Sequence, residues 1–376
     1  MRCHRLSLQY FRAHEASSFS FAPALNLLYG PNGAGKTNVL EALHYLALTR
    51  SFVTAQDAVA VRVGHAQAEV KADFEGDRRG PFSARLLLGG ETGKAIFVNG
   101  AAPPTLSEHV GRIPLVVLSP QDSALTAGGP EERRRFLNNL IGQARPVYLD
   151  DLLRYGRALR QRTELLQSAR GRRFRLTPDL LDAWTEEVAT LGARVVHARA
   201  RSLETFQTYL DEAHARLGGH LETPSFTYEA PVPIEPGASV DDVAEALRRR
   251  YAAVATKEQE AGRTLVGPHR DEVTFRLGSF EVRRYASQGQ HRTFGVALRL
   301  AQFFYLGALT EETPLLLLDD LFAHLDAART KLLLAFLTSE AVGQSFVTHP
   351  EREDVAAHVD LTGARHAAIA IGATEP

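Results

Sequence analysis

A chain of 376 residues, 44% hydrophobic and 23% charged, has room for two domains or for one large domain with an insertion, and its composition is ordinary for a globular protein. A formal net charge of −1 excludes a wholesale basic coat for nucleic acid, so charge has to be read region by region. The single cysteine, Cys3, excludes an internal disulfide and a thiolate zinc site, which fits a reducing compartment.

The first residues, "MRCHRLSLQYF", alternate like a strand and carry no signal-peptide core. No apolar run approaches the ~18 to 20 residues needed to cross a bilayer, so a cytoplasmic location without a membrane partner is expected. After "RLSLQYF" and "ALNLLYG" comes an apolar helix, "NVLEALHYLAL" from Asn38. Strands follow at "AQAEVKADF", "FSARLLLG" and "KAIFVNG", between Gly- and Asp-rich turns.

Residues 130–217 read as helices. From Trp184 to Leu217 there is no proline, and Trp184, Val188, Leu191 and Val195, then Leu203, Phe206, Leu210, Ala213 and Leu217, hold a 3–4 spacing. That stripe describes an amphipathic helix packed on its own lobe; the alternative is a short antiparallel arm with the helix near Leu152–Leu166. Residues 222–237, "ETPSFTYEAPVPIEPG", suit a strand and a connector. Strand–helix alternation then resumes, with "LLLLDD" (Leu315–Asp320) and "QSFVTHP" (Gln344–Pro350) as buried parallel strands. The expected architecture is α/β. One nucleotide-binding lobe is assembled from both chain ends, 1–115 and 300–376, and a mainly helical lobe, 116–299, is inserted between them.

"GPNGAGKT", comprising Gly30, Pro31, Asn32, Gly33, Ala34, Gly35, Lys36 and Thr37, fits the phosphate-loop pattern without a mismatch, after a strand and before a helix. Its glycines let backbone N–H groups curl around phosphate oxygens, and the helix dipole adds positive potential. Lys36 is expected on the β- and γ-phosphates and the Thr37 hydroxyl on Mg²⁺, so ATP and Mg²⁺ are the expected cofactors. The run "PLLLLDD" ends in two carboxylates at the strand edge where open α/β sheets bind ligands. Asp319 is the expected Mg²⁺ partner, and Asp320 is placed to orient or deprotonate an attacking water. Downstream, "AHLD" ends in Asp326, and the strand "VTH" ends in His349, which either reaches a γ-phosphate or is an ordinary surface histidine.

The stretch "YASQGQHRTFGVALRLAQ" (Tyr285–Gln302) opens a helix with small residues and glutamines that bury nothing. Together with the phosphate loop, the double acid, the Leu-Asp and the Thr-His strand end, in that order, it resembles the ATP-binding-cassette ATPases. By that resemblance Ser287, Gly289 and Gln290 are the signature motif, although the copy reads "ASQGQ" and not the leucine-led, double-glycine form. The signature of that class caps the γ-phosphate held by a second subunit, so the resemblance implies a homodimer on ATP. It implies for Asp326 a place in the loop after the double acid, and for Gln121 a role in sensing the metal and the water. Asp320 stands where most of the class carries Glu, and a carboxylate one methylene shorter implies slow, switch-like hydrolysis.

Within that class, "LSLQYFRAHE", "YGPNGAGKTNVLEALHYL", "TRSF", "LSPQDSALTAGGPEERRRFLNNLI" from Leu118, "GRTLVGPHRDEV" from Gly262 and the signature stretch resemble the RecF family of bacterial recombination-repair proteins over essentially the whole chain. The resemblance implies a weak, DNA-stimulated ATPase that binds DNA. It would act with RecO and RecR to place RecA on gapped single-strand/double-strand DNA, supporting replication and the SOS response. It also brings Arg12 towards the nucleotide, which nothing else in the sequence supports. Candidate phosphate contacts are Arg133, Arg134, Arg157, Arg160, Arg170, Arg172 and Arg173; Arg154, Arg157 and Arg160 lie at three-residue steps on one helical face. The bland alternative is solvated helix faces paired with Glu131, Glu132 and Glu164. Few aromatics interleave these arginines, which favours backbone tracking on duplex or junction DNA over single strands alone. "GPHRDE" reads as a turn with an internal pair between Arg270 and Asp271, or as a dimer contact. A transporter ATPase subunit would share the nucleotide motifs but place its signature much nearer the phosphate loop. A tether of the structural-maintenance-of-chromosomes kind needs far longer heptad arms.

Overall fold

The structure is a computed structural model that describes residues 1–91, 93–170, 178–218, 222–322 and 327–372. The chain begins with β1 (Arg2–Phe11), β2 (His14–Ser20), β3 (Leu25–Tyr29), α1 (Lys36–Leu48), β4 (Gln67–Gly76), β5 (Gly80–Gly89), β6 (Lys94–Val98), α2 (Leu106–His109) and β7 (Leu115–Leu118). A helical stretch follows: α3 (Ser123–Ala127), α4 (Pro130–Ala144), α5 (Pro146–Arg170) and α6 (Pro178–Arg216). Then come β8 (Pro224–Glu229), α7 (Val240–Ala261), β9 (Glu272–Leu277), β10 (Phe280–Glu281), α8 (Val282–Tyr285) and α9 (Gln288–Thr310). The chain closes with β11 (Leu315–Leu318), α10 (Ala327–Leu337), β12 (Ser345–His349), α11 (Arg352–Ala356) and β13 (Ala367–Ala370).

Two compact units result. The first comprises residues 1–123, 209–222 and 287–376, and the second residues 124–208 and 223–286. The boundary differs from the expected insertion of 116–299. Residues 116–123 and 287–299 belong to the first unit, because β7 is a strand of its parallel sheet and α9 is buried along most of its length from Thr293 to Leu306. Length and apolar character alone would suit α9 to a bilayer, and burial of that apolar face inside a unit is the simpler outcome.

The first unit holds two sheets. The antiparallel one has the order β2-β1-β4-β5-β6, and its buried residues alternate along β4 and β5 as a half-buried sheet requires. The parallel one has the order β13-β3-β12-β11-β7; its apolar runs "LVVL" and "LLLL", and "LNLL" with its one polar residue Asn26, are buried throughout, as expected where both faces are covered. Parallel register aligns the C-terminal ends: Tyr29 faces His349, Val347 faces Leu318, and Leu318 faces Leu118. Every loop that leaves this edge therefore starts from one line.

The second unit contains the antiparallel sheet β10-β9-β8 and the helices α4, α5 and α7 with most of α6. α6 is one uninterrupted helix of 39 residues. Pairs Asp151–Arg194, Arg154–Glu187 and Arg162–Thr185 run in opposite directions along the two chains, so α5 and α6 lie antiparallel there.

Candidate nucleotide site

β3 delivers the chain to Gly30, and the helix α1 starts at Lys36, with Gly35 as its N-cap in a left-handed conformation (φ 101°). Gly33 (φ 83°) has open space where a Cβ would stand, so glycine is needed there for backbone conformation alone. At Gly35 both reasons apply: a Cβ would lie 2.8 Å from His14 Nε2. Lys36 folds back over the loop, its ammonium donating to the carbonyls of Gly30 (2.6 Å) and Pro31 (3.0 Å).

Opposite the loop, β11 ends in Asp319 and Asp320. Thr37 donates its hydroxyl to Asp319 Oδ1 at 2.8 Å, and Thr348 at the end of β12 donates to the same oxygen at 2.9 Å. The Thr348 oxygen in turn accepts the Asp320 N–H at 2.9 Å. Asp320 is left-handed (φ 48°), a conformation uncommon for a non-glycine residue, though Asp tolerates it better than most. Asn32, Gly33, Gly35, Lys36, Thr37, Asn38, Asp319, Asp320, Thr348 and Pro350 line one cavity of about 190 Å³. Burial pushes the Asp319 carboxyl above its usual range, and the neighbouring Asp320 pushes the same way, against the two hydroxyls and Lys36.

The donor set suits Mg²⁺. A small hard cation takes one or two protein oxygens and completes its shell with phosphate and water. The Thr37 hydroxyl donates its hydrogen bond to Asp319 and keeps lone pairs for a metal, and among the described residues no group of three or more His, Cys, Asp or Glu could enclose one. The sequence had singled out Thr37, Asp319 and Asp320; it missed Thr348, whose only signal was its place before a strand-end histidine.

Other candidates stand further off. His349 is absent from the cavity lining, its Nδ1 sharing a hydrogen bond with the Glu351 carbonyl (2.8 Å) and its Nε2 3.7 Å from Asp354. Gln121 is exposed in a 3₁₀ turn, Pro120–Asp122, directly after β7. That turn is tied to α9, for Arg299 donates twice to Asp122 Oδ1, at 2.9 and 2.7 Å. Asp326 lies outside the described residues.

The α9 start is a capping box. Ser287 Oγ accepts the Gln290 N–H (3.2 Å) and Gln290 Oε1 accepts the Ser287 N–H (2.9 Å), with Ser287 and Gly289 exposed. Gln290 Nε2 also donates to Glu222 at 3.2 Å. Gln288 and Gly289 stand in the first turn, where helix N–H groups have no intrahelical partner.

The arginines sort by burial. Arg133, expected on DNA phosphates, is instead 4% exposed and donates twice at 2.7 Å to Glu272, as well as to the Gly128 carbonyl, so it is not free to meet DNA. Arg134 bonds the Asp271 carbonyl at 2.8 Å. Arg157 and Arg160 are exposed along α5, and Arg170 is exposed with one bond to the Ala261 carbonyl. Arg172 and Arg173 fall outside the described residues. The pair expected between Arg270 and Asp271 does not form. Asp271 is buried against Arg199 of α6 and Tyr228 of β8, while Arg270 is exposed. Arg12 is held by Glu41 of α1, at 2.6 and 2.8 Å.

A family model described as the RecF/RecN/SMC N terminal domain matches residues 2–369. A protein of Salinibacter ruber named DNA replication and repair protein RecF is 47% identical over 99% of this chain and 90% of its own length. The chain belongs to the RecF family. A RecF of Chloroherpeton thalassium is 40% identical over 95% of this chain and 96% of its own. A solved structure described as the recombination mediator protein RecF-ATPrS in the RecFOR pathway matches with a TM-score of 0.87 at 29% identity, covering 94% of this chain and 93% of that one. An Smc head bound to the C-winged helix domain of ScpA matches with a TM-score of 0.53 at 15% identity, covering 95% and 92%, and shares the fold alone. The α/β, ABC-type ATPase fold expected from the motifs is that of the RecF family.

Proposed function

We propose that this RecF-family chain is an ATP-dependent DNA-binding protein of replication and recombinational repair, paired by ATP and released by slow hydrolysis. The observation that carries the reading is the hydroxyl bridge in the cavity: Thr37 and Thr348 converge on Asp319 beside the phosphate loop. Its volume, about 190 Å³, is below the roughly 300–1,000 Å³ of sites that enclose a whole ligand, which suits a triphosphate held at one end. The loop N–H groups and Lys36 take the phosphate oxygens, Lys36 exchanging its two carbonyl partners for them. Thr37 and Asp319 would hold Mg²⁺, which would supply charge neutralisation at the phosphates. Asp320 orients and deprotonates the water. His349 and Gln121, both outside the cavity lining, act only once the site is completed.

Completion comes from a second copy. Exposed Ser287 and Gly289, with Gln290, offer a capped helix N-terminus to the γ-phosphate of the twin's ATP. The relatives' name, DNA replication and repair protein, and the solved structure's place in the RecFOR pathway support a role on DNA in recombination; acting with RecO and RecR to place RecA at gaps is the form of that role this reading takes. Support of replication and the SOS response in the cytoplasm goes with that role.

Light scattering tests the pairing, with no nucleotide, with ADP and with a non-hydrolysable ATP analogue. The analogue alone should give dimers. Lys36→Met should abolish them by losing nucleotide, and Ser287→Arg should bind nucleotide yet stay monomeric. A Ser287→Arg variant that still dimerises on the analogue would sink the shared-site reading.

A further inference from the structure

The turn joining β1 to β2 meets the phosphate-loop helix with three consecutive residues, each one helical turn further back. Arg12 pairs with Glu41, the Ala13 N–H donates to Asn38 Oδ1 (3.4 Å), and His14 Nε2 lies 3.2 Å from the Gly35 carbonyl. A carbonyl only accepts, so the proton sits on Nε2, and Nδ1 accepts the Ser17 hydroxyl at 2.9 Å. His14 is 7% exposed, with Phe19 edge-on at 5.7 Å, and burial holds its pKa below the usual value, which keeps the ring neutral.

We propose that His14 is a positioning residue of the nucleotide site, acting through the Gly35 carbonyl; the inference rests on the ATP-binding reading above. A trans peptide unit is planar, with its C=O and N–H pointing opposite ways. The Gly35 carbonyl and the Lys36 N–H belong to one such unit. Fixing the oxygen from behind therefore fixes the direction of an N–H that faces the phosphates. The Gly35 carbonyl also accepts the Asn38 and Val39 N–H groups of α1, at 3.0 and 3.3 Å, so His14 adds a side-chain donor from outside the helix at the left-handed residue (φ 101°) that joins loop to helix. Its missing Cβ is what lets the hairpin approach, since His14 Nε2, Ala13 Cβ and Asn38 Oδ1 would all lie within 2.8 to 3.4 Å of one.

The test compares full-length wild type, His14→Phe, His14→Gln and Ser17→Ala in titrations with a fluorescent ATP analogue and in steady-state hydrolysis. Phe keeps the ring against Phe19 and removes the donor. It should weaken ATP about 10-fold and raise KM by the same factor, with kcat at saturation within about 2-fold, the split expected of lost uniform binding. Gln restores a donor and should recover most of the affinity. Ser17→Ala releases the tautomer and should cost about 3-fold, a reading that stands even if the Phe ring disturbs folding. Nitrogen-15 spectra should show His14 as the Nε2–H tautomer and a shift on adding ATP. Wild type that binds ATP while His14→Phe and Ser17→Ala bind it equally well would overturn the inference alone. Wild type that binds no ATP would overturn the nucleotide reading and this with it.

Discussion

At the residue scale, the Thr348 hydroxyl is the smallest part that joins both acids of the site. It donates to Asp319 and accepts from the Asp320 backbone, whose left-handed φ costs about 1–2 kcal/mol without such support. Thr348→Val keeps the shape and removes both bonds, leaving the part-buried Asp320 N–H without its partner, at about 1–3 kcal/mol, and Asp319 Oδ1 with Thr37 alone. Asp320 would then relax, and a shift near 1 Å in a catalytic group costs about 10²-fold in rate. Single-turnover hydrolysis should fall by about that factor in Thr348→Val and largely recover in Thr348→Ser. ATP affinity should stay within about 3-fold, because Thr348 touches neither Lys36 nor the phosphate-loop backbone. Unimpaired hydrolysis in the valine variant would remove Thr348 from the account.

Elements of the second unit are joined through buried charge and not only through apolar faces. Arg162 of α5 meets Glu258 of α7 at 2.6 Å, and Arg199 of α6 meets Asp271, Tyr148 and the Pro268 carbonyl. Pairs so placed hold register, and breaking one strands its partner. In the same turn His269 is enclosed, its Nδ1 2.6 Å from the Tyr155 hydroxyl. Burial lowers its pKa to about 4, against the pull of the Thr264 carbonyl, and Arg270, Arg134 and Arg162 add to the fall. Burial likewise takes His44 on α1 down to about 3. In both cases the unfolded chain binds the proton more readily. Stability is therefore full above about pH 6.5 and is lost as pH falls towards 4. Urea unfolding should show a loss of about 1–2 kcal/mol from His269 between pH 6.5 and 5, and His269→Gln should flatten that slope. A wild-type stability that rises on acidification would contradict the buried neutral ring. None of these ties was legible in the sequence. Arg133 and Glu272 are 139 positions apart, and Arg199 and Asp271 are 72 apart, so no local pattern links them. The three central parallel strands, β3, β12 and β11, were more exposed to reading, because burial on both faces demands mostly apolar runs, while the edge strand β7 went unread. β2 escaped, since "HEASSFS" half-buries little beyond Phe19 and alternates only faintly. The phosphate loop was legible for a different reason: backbone curvature and phosphate chemistry fix its residue types within eight positions.

For the whole molecule, a net charge of −1 makes any DNA contact depend on where positive charge is left uncompensated. Much of it is spoken for. Arg154 lies 4.0 Å from Asp150 and 3.9 Å from Glu187, Arg194 lies 3.2 Å from Asp151, and Arg248 lies 2.6 Å from Glu186. Arg157 and Arg160, three residues apart on the exposed side of α5, have no carboxylate within ion-pair distance among the described residues. Contacts of this kind reach phosphates and carry no sequence information, so their signature is a dependence on salt. Each phosphate neutralised on duplex DNA contributes about 0.9 to the slope of log affinity against log salt. With the ATP analogue present, Arg157→Gln/Arg160→Gln should weaken duplex binding equally for unrelated sequences and flatten that slope by up to about 1.8. Arg133→Gln should leave the slope unchanged and lower stability instead, because it removes a buried partner of Glu272. If the α5 pair leaves both affinity and slope untouched, the DNA path runs over another face, and the paired arginines must open before they can serve.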